Sequence, residues 1–139
     1  MIEAVLDTNV LVAGLRSKRG AAHLLLQMIG VANWRPNVSV ALALEYEDVL
    51  SREGLLPGLT LADRAEFLDY LFAASNLVPS VQRKRPSLRD PDDERILELA
   101  VACQAVIVTY NRRDFVGAER FGVSVLTPVE FLRTLGAIR

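Results

Sequence analysis

"AVLDTNVLVAGL", residues 4–15, contains one charged side chain in an otherwise apolar and small-residue run, and the reading of that residue, Asp7, decides the fold. Ile2 to Leu6 reads as a short buried strand, and the residues after Asp7 as the start of a helix. A carboxylate is costly to bury unless it is paired, hydrogen-bonded or bound to a metal. Asp7 therefore fits the mouth of the core, at a strand's carboxyl end, better than its interior. Thr8 and Asn9 follow at once, so polar groups gather where the strand stops.

Working outward, short apolar strands alternate with helices. Gly20 to Ile29 has a helical pattern that extends earlier, and Asn37–Val38 reads as a strand. Ser39 is an N-cap for a helix reaching about Ser51, and Thr60 caps another that carries Leu61, Ala65, Leu68 and Leu71–Phe72. "NLVPS" at 76–80 is a short strand with Pro79 near its end, and the polar, proline-bearing stretch 81–94 is a long loop. A helix follows from Pro91 to about Cys103, then a strand at Ala105–Thr109, a turn through "YNRRDF", a strand near Val123–Leu126 and a last helix from Pro128 to Leu135. This order predicts a parallel sheet covered on both faces, within a single domain spanning residues 1–139. Ligands of such sheets bind beyond the carboxyl ends of the strands, where Asp7 and Thr109 both fall.

Composition narrows the chemistry. Sixteen Lys and Arg stand against seventeen Asp and Glu, so bulk charge gives no warrant for nucleic-acid binding. Cys103 is the single cysteine, which excludes an intrachain disulfide and points to a reducing, cytoplasmic setting. No apolar run approaches the roughly 18 residues of a membrane helix, and no targeting segment is expected. The lone histidine, His23, lies among apolar helix formers and reads as a packing residue, so paired-histidine catalysis is excluded within one chain. Nucleophile-elbow and phosphate-loop motifs are absent.

The carboxylates are the remaining signal. In "RDPDDERILELA", Asp90 before Pro91 reads as a helix cap, and Asp92 and Asp93 fall in the first turn, where the helix dipole favours anions. Asp93 shares a stripe with Ile96, Leu97 and Ala100 and so points inward, while Asp92 lies farther round. In "LEYEDVL", Glu45 borders the stripe of Leu42 and Val49, and Glu47 faces solvent. Asn111 and Asp114 follow the strand ending at Thr109; they either close an Asx turn or serve the crevice. Four acids from four segments, Asp7, Glu45, Asp93 and Asp114, would repel one another without protonation or cations. An all-oxygen set suits Mg²⁺ or Mn²⁺, which support in-line phosphoryl displacement without a protein nucleophile.

The blocks "LDTNVLVAGL", "LEYEDVL", "DPDDERILELA" and "VIVTYNRRDF", in that order, resemble the PIN-domain family, metal-dependent ribonucleases that include many VapC-type toxins of toxin–antitoxin pairs. The resemblance implies a three-layer α/β/α fold whose five-stranded parallel sheet has strand order 3-2-1-4-5. It implies that Asp7, Glu45 and Asp93 are catalytic and hold the metal, and that Asn9 and Thr109 orient acids or substrate. Many members have an aspartate two residues after the threonine, where this chain has Asn111; here Asp114 is assigned as the fourth metal-binding acid and Asn111 as a supporting residue. Implied partners are an RNA substrate and a cognate antitoxin. The apolar helices around Leu24–Leu26, Leu61–Phe72 and Phe131–Leu135 add the expectation of a homodimer.

Basic groups at 16–19, 82–85, Arg89 and Arg112–Arg113 are candidates for phosphate contacts or ordinary solvated charge. The alternative from another class is a PIN-like RNA- or protein-binding module whose activity is weakened by Asn111. A phosphotransfer protein fits poorly: a phosphatase would need an aspartate where Asn9 stands, and a receiver domain a late lysine, whereas none follows Lys84.

Overall fold

The computed structural model describes residues 1–31, 33–79 and 90–139. In chain order these form β1 (Ile2–Leu6), α1 (Thr8–Arg16), α2 (Ala21–Gln27), β2 (Trp34–Ser39), α3 (Val40–Leu50), α4 (Leu61–Ala74), β3 (Asn76–Val78), α5 (Pro91–Cys103), β4 (Val106–Val108), β5 (Val125–Leu126) and α6 (Pro128–Thr134). Two 3₁₀ turns, Arg112–Phe115 and Ala118–Phe121, lie between β4 and β5. All strand pairings are parallel, in the order β3-β2-β1-β4-β5. Among the described residues no helix is long and apolar enough to cross a membrane.

β1 is the central strand, with Ala4 paired to Pro36 on one side and Val106 on the other. Ala4, Val5 and Leu6 are buried, as a strand covered on both faces requires. The chain adds β2 and β3 on one side of β1, then returns to add β4 and β5 on the other. Strand order thus reverses between β1 and β4, which opens a crevice beyond their carboxyl ends. Asp7 stands on that crevice, its amide bonded to the Val108 carbonyl at 2.9 Å.

Local chemistry sets the helix starts. The Ser39 side chain accepts from the Leu42 amide, and Thr60 with Asp63 forms a reciprocal capping box. Asp90 accepts from the Asp92 amide at 2.8 Å with Pro91 in the first turn, the capping role expected of it. The first helical stretch divides in two, and α1 and α2 approach closely at Gly14. A Cβ there would lie 2.5 Å from Leu26 Cδ1. Nδ1 of His23 donates to the Gly14 carbonyl at 2.9 Å, so the lone histidine ties the two helices together.

Several boundaries differ from the sequence reading. β2 starts at Trp34 and runs through Pro36, because Trp34 is anchored by its indole N–H to the Met28 carbonyl and by an edge-on contact with Phe131. β5 is confined to Val125–Leu126, since the Val123 amide bonds back to the Ala118 carbonyl of the second 3₁₀ turn at 3.3 Å. The basic group at 82–85, Arg89 and most of the expected loop lie outside the described residues.

Candidate active site

Asp7 sits at the N-cap position of α1, yet its carboxylate makes no capping hydrogen bond. Oδ2 instead accepts from the Thr109 hydroxyl at 2.8 Å and from the Asn9 amide nitrogen at 3.2 Å. Asn9 also reaches β4's end, where its Oδ1 accepts from the Tyr110 amide at 3.3 Å. Thr109, fully buried, accepts in turn from the Asn111 amide at 2.9 Å. Asn9 and Thr109 therefore stitch the ends of β1 and β4 together around one oxygen of Asp7.

Glu45 comes from α3 and accepts a hydrogen bond from the Thr8 hydroxyl. Its neighbour Tyr46 is buried, and its hydroxyl donates to the Leu6 carbonyl. Asp93 comes from the first turn of α5. Asp7, Glu45 and Asp93 line one open cavity of about 1000 Å³. Asp90 and Asp92 share its wall, so Asp92 is nearer the crevice than its helical position suggested, and it pairs with Arg95 at 3.3 Å. Arg16, about two turns along α1 from Asn9, and Arg52, just past the end of α3, line the same cavity. Asp114 is exposed and outside the cavity wall, in the 3₁₀ turn after β4; its carboxylate accepts from the Asn111 side-chain amide at 2.9 Å.

The acids sense one another. Burial pushes the Asp7 carboxyl above its ordinary value, the Thr109 hydrogen bond opposes this, and the charge of Asp114 adds to it. Burial also raises Glu45, against the Thr8 hydrogen bond and with the charges of Asp92 and Asp7. Asp93 is pushed up to about 7 by desolvation and then by Asp114, Asp90, Asp7 and Glu45. Each acid is held in a position where its charged form is disfavoured.

Among the described residues, no three His, Cys, Asp or Glu side chains are gathered tightly enough to hold an ion unaided. The donor chemistry nevertheless fits a hard divalent cation. Every nearby acid offers oxygen, the cavity is open to water, and mutual repulsion is the main charge effect on Asp93 after burial. Mg²⁺-type ions bind through one or two carboxylates and keep several waters, so a tight all-protein cage is not required.

Two residues of this corner carried no signal in the sequence reading. Thr8 entered only as one of the polar groups that follow Asp7, and Tyr46 was given no role. Their partners lie 37 and 40 residues away, which no local pattern reveals.

Residues 3–113 match the family described as PIN domain. The chain is similar to the solved structure of VapBC-1 from nontypeable Haemophilus influenzae, with 14% identity and a TM-score of 0.63, covering 92% of this chain and 99% of that one. It is likewise similar to VapBC2 from Rickettsia felis bound to a DNA fragment from their promoter, with 14% identity and a TM-score of 0.61, covering 91% and 98%. No curated protein matches.

Proposed function

Because the chain belongs to the PIN-domain family, we propose that it is a divalent-cation-dependent endoribonuclease and the toxin of a toxin–antitoxin pair. The observation that carries the reading is the crevice between β1 and β4, where Asp7, Glu45 and Asp93 line one cavity and each carboxyl is raised. These three acids, with Asp114 as the fourth at the rim, are the proposed set that holds Mg²⁺ or Mn²⁺, one or two bonding the ion directly and the others acting through its waters. When bound, such a cation offsets the charge of an attacked phosphodiester and acidifies the attacking water. Asn9 and Thr109 orient Asp7 by donating to Oδ2. Asn111 orients Asp114. Arg16, and Arg52 with its ion-pair partner Asp48 at 3.0 Å, extend the cavity wall, and the two guanidinium groups suit the phosphates of an RNA strand.

The cognate antitoxin is the proposed protein partner, by likeness to the two VapBC structures. A homodimer is proposed from the apolar helices, and light scattering at micromolar concentration tests it. Cleavage of a panel of RNAs, with and without EDTA, tests the chemistry. Cutting in Mg²⁺ or Mn²⁺ that EDTA stops is the expected result. RNA binding with no cutting under any cation would favour the weakened binding module instead.

A further inference from the structure

Glu45 and Tyr46 are consecutive on α3, yet their side chains attach to residues on opposite sides of Asp7. Glu45 accepts from the hydroxyl of Thr8, one residue after Asp7, and Tyr46 donates to the carbonyl of Leu6, one residue before it. Tyr46 is 1% exposed, and its ring is locked in the core, so its hydroxyl registers the position of α3 against the end of β1. Thr8 is itself buried at the start of α1, which limits where its hydroxyl can go. The two bonds together fix α3 laterally. They act against the charge of Asp7, which works on Glu45 unfavourably.

We propose that Thr8 and Tyr46 are positioning residues, a two-point clamp that holds Glu45 at a set separation from Asp7 and thereby makes the crevice selective for a small, hard cation. The clamp rests on the reading of the crevice as a cation site. Mg²⁺ demands near-ideal octahedral geometry at short bond lengths, whereas Ca²⁺ accepts longer bonds and irregular coordination. A carboxylate pair allowed to spread should therefore lose Mg²⁺ while keeping Ca²⁺. A purely architectural role for the same two hydroxyls would lower stability without changing that ratio.

The test is calorimetric titration of the whole chain with Mg²⁺, Mn²⁺ and Ca²⁺ separately, for wild type, Thr8→Val, Thr8→Ser and Tyr46→Phe. Removing an outer partner of a metal ligand typically costs 10–100-fold in affinity. Thr8→Val should weaken Mg²⁺ and Mn²⁺ by about 10-fold or more, with Ca²⁺ changed about threefold or less. Thr8→Ser, which restores the hydroxyl, should bind within about twofold of wild type, and Tyr46→Phe should move in the direction of Thr8→Val. Equal losses for all three ions, unchanged binding in Thr8→Val, or a Thr8→Ser as weak as Thr8→Val would each overturn the clamp. If Tyr46→Phe does not fold, the two Thr8 variants decide alone. A wild type that binds none of the three ions removes the cation site itself, an outcome separate from any pattern among the variants.

Discussion

Asp7 and Arg64 are equally buried, each 9% exposed, and the fold treats them oppositely. Arg64 projects from α4 into the loop after α3. Its Nη1 donates to the carbonyls of Leu50 (2.9 Å) and Arg52 (3.3 Å), and its Nη2 to those of Leu56 and Leu59 (both 2.9 Å). Leu50 is the last residue of α3, so the guanidinium also meets the negative end of that helix. Only Nε lacks a partner among the described residues. Asp7 has two uncharged side-chain donors on one oxygen, whose help and that of the adjacent Thr8 and Asn9 amides is outweighed by burial, and the nearby charge of Asp114 is repulsive. A buried charge that the surrounding backbone satisfies is architecture. One whose surroundings raise the energy of its charged form is held ready for something the chain does not itself supply.

The largest expected effects separate the two. Asp7→Asn should reduce RNA cleavage on the order of 10³-fold, equivalent to about 4 kcal/mol of transition-state stabilisation. Its melting temperature in EDTA should equal or exceed that of wild type, because the substitution removes a disfavoured charge and little volume. Arg64→Met should act the other way, since it leaves four carbonyls without their donor, and a loss of about 3 kcal/mol in urea unfolding is expected. An Arg64→Met protein as stable as wild type, or an Asp7→Asn protein that melts well below it, would erase the distinction. Asp7→Asn cutting as fast as wild type would assign the activity to a contaminant.

The legible part of the molecule was the part written in local pattern. β1 and α5 have the bounds expected of them, and the caps Ser39, Thr60 and Asp90 are where the chain's own polar residues announced them. Asp7, Glu45 and Asp93 stood out as acids beside apolar stripes, and they share a cavity wall. Arg64 did not stand out, because a basic residue in "LADRAEFLDY" looks like a solvated helix face. Its acceptors are backbone carbonyls, which carry no residue identity to read. Asp114 is intermediate: the sequence assigned it to the acid group, and it stands at the rim with its charge acting on Asp93 and Asp7.

Asp93 gives the contrast a pH dependence. Its folded-state carboxyl titrates at about 7, above the ordinary value of 3.8, so the folded protein holds that proton longer than the unfolded chain does. The stability this proton contributes is fully present below pH 3.8 and is lost as pH rises through about 7. Asp7 and Glu45, also raised, act in the same sense. Metal-free protein should therefore lose melting temperature between about pH 4 and 7, and Asp93→Asn should flatten that slope. Cation affinity should follow the opposite course, tightening as pH rises through the same window, because binding must displace the proton. An Asp93→Asn protein that melts clearly lower at every pH would instead assign Asp93 to the dipole of α5.

The smallest effect expected is at the rim, where Asn111 and Asp114 divide one task. Asn111 donates through Nδ2 to the Asp114 carboxylate at 2.9 Å, while its backbone amide donates to Thr109 at 2.9 Å. It links the rim carboxylate to the hydroxyl that orients Asp7. An amide contributes no negative charge, so the charge at this position belongs to Asp114. Asp114→Asn should lower the cleavage rate about 10-fold or more, whereas Asn111→Ala, which frees the carboxylate without removing it, should cost about threefold. Asn111→Asp is the sharper variant. It replaces a donor with a second carboxylate facing Asp114, which should raise the affinity for Mn²⁺ in a titration without raising the rate, since the two acids repel and the link to Asp114 is gone. If Asn111→Asp cuts faster than wild type and Asp114→Asn is mild, the fourth acid belongs at position 111 and Asp114 serves only to close the turn. The rim would then resemble Arg64, a charge the fold satisfies for its own sake, and not Asp7.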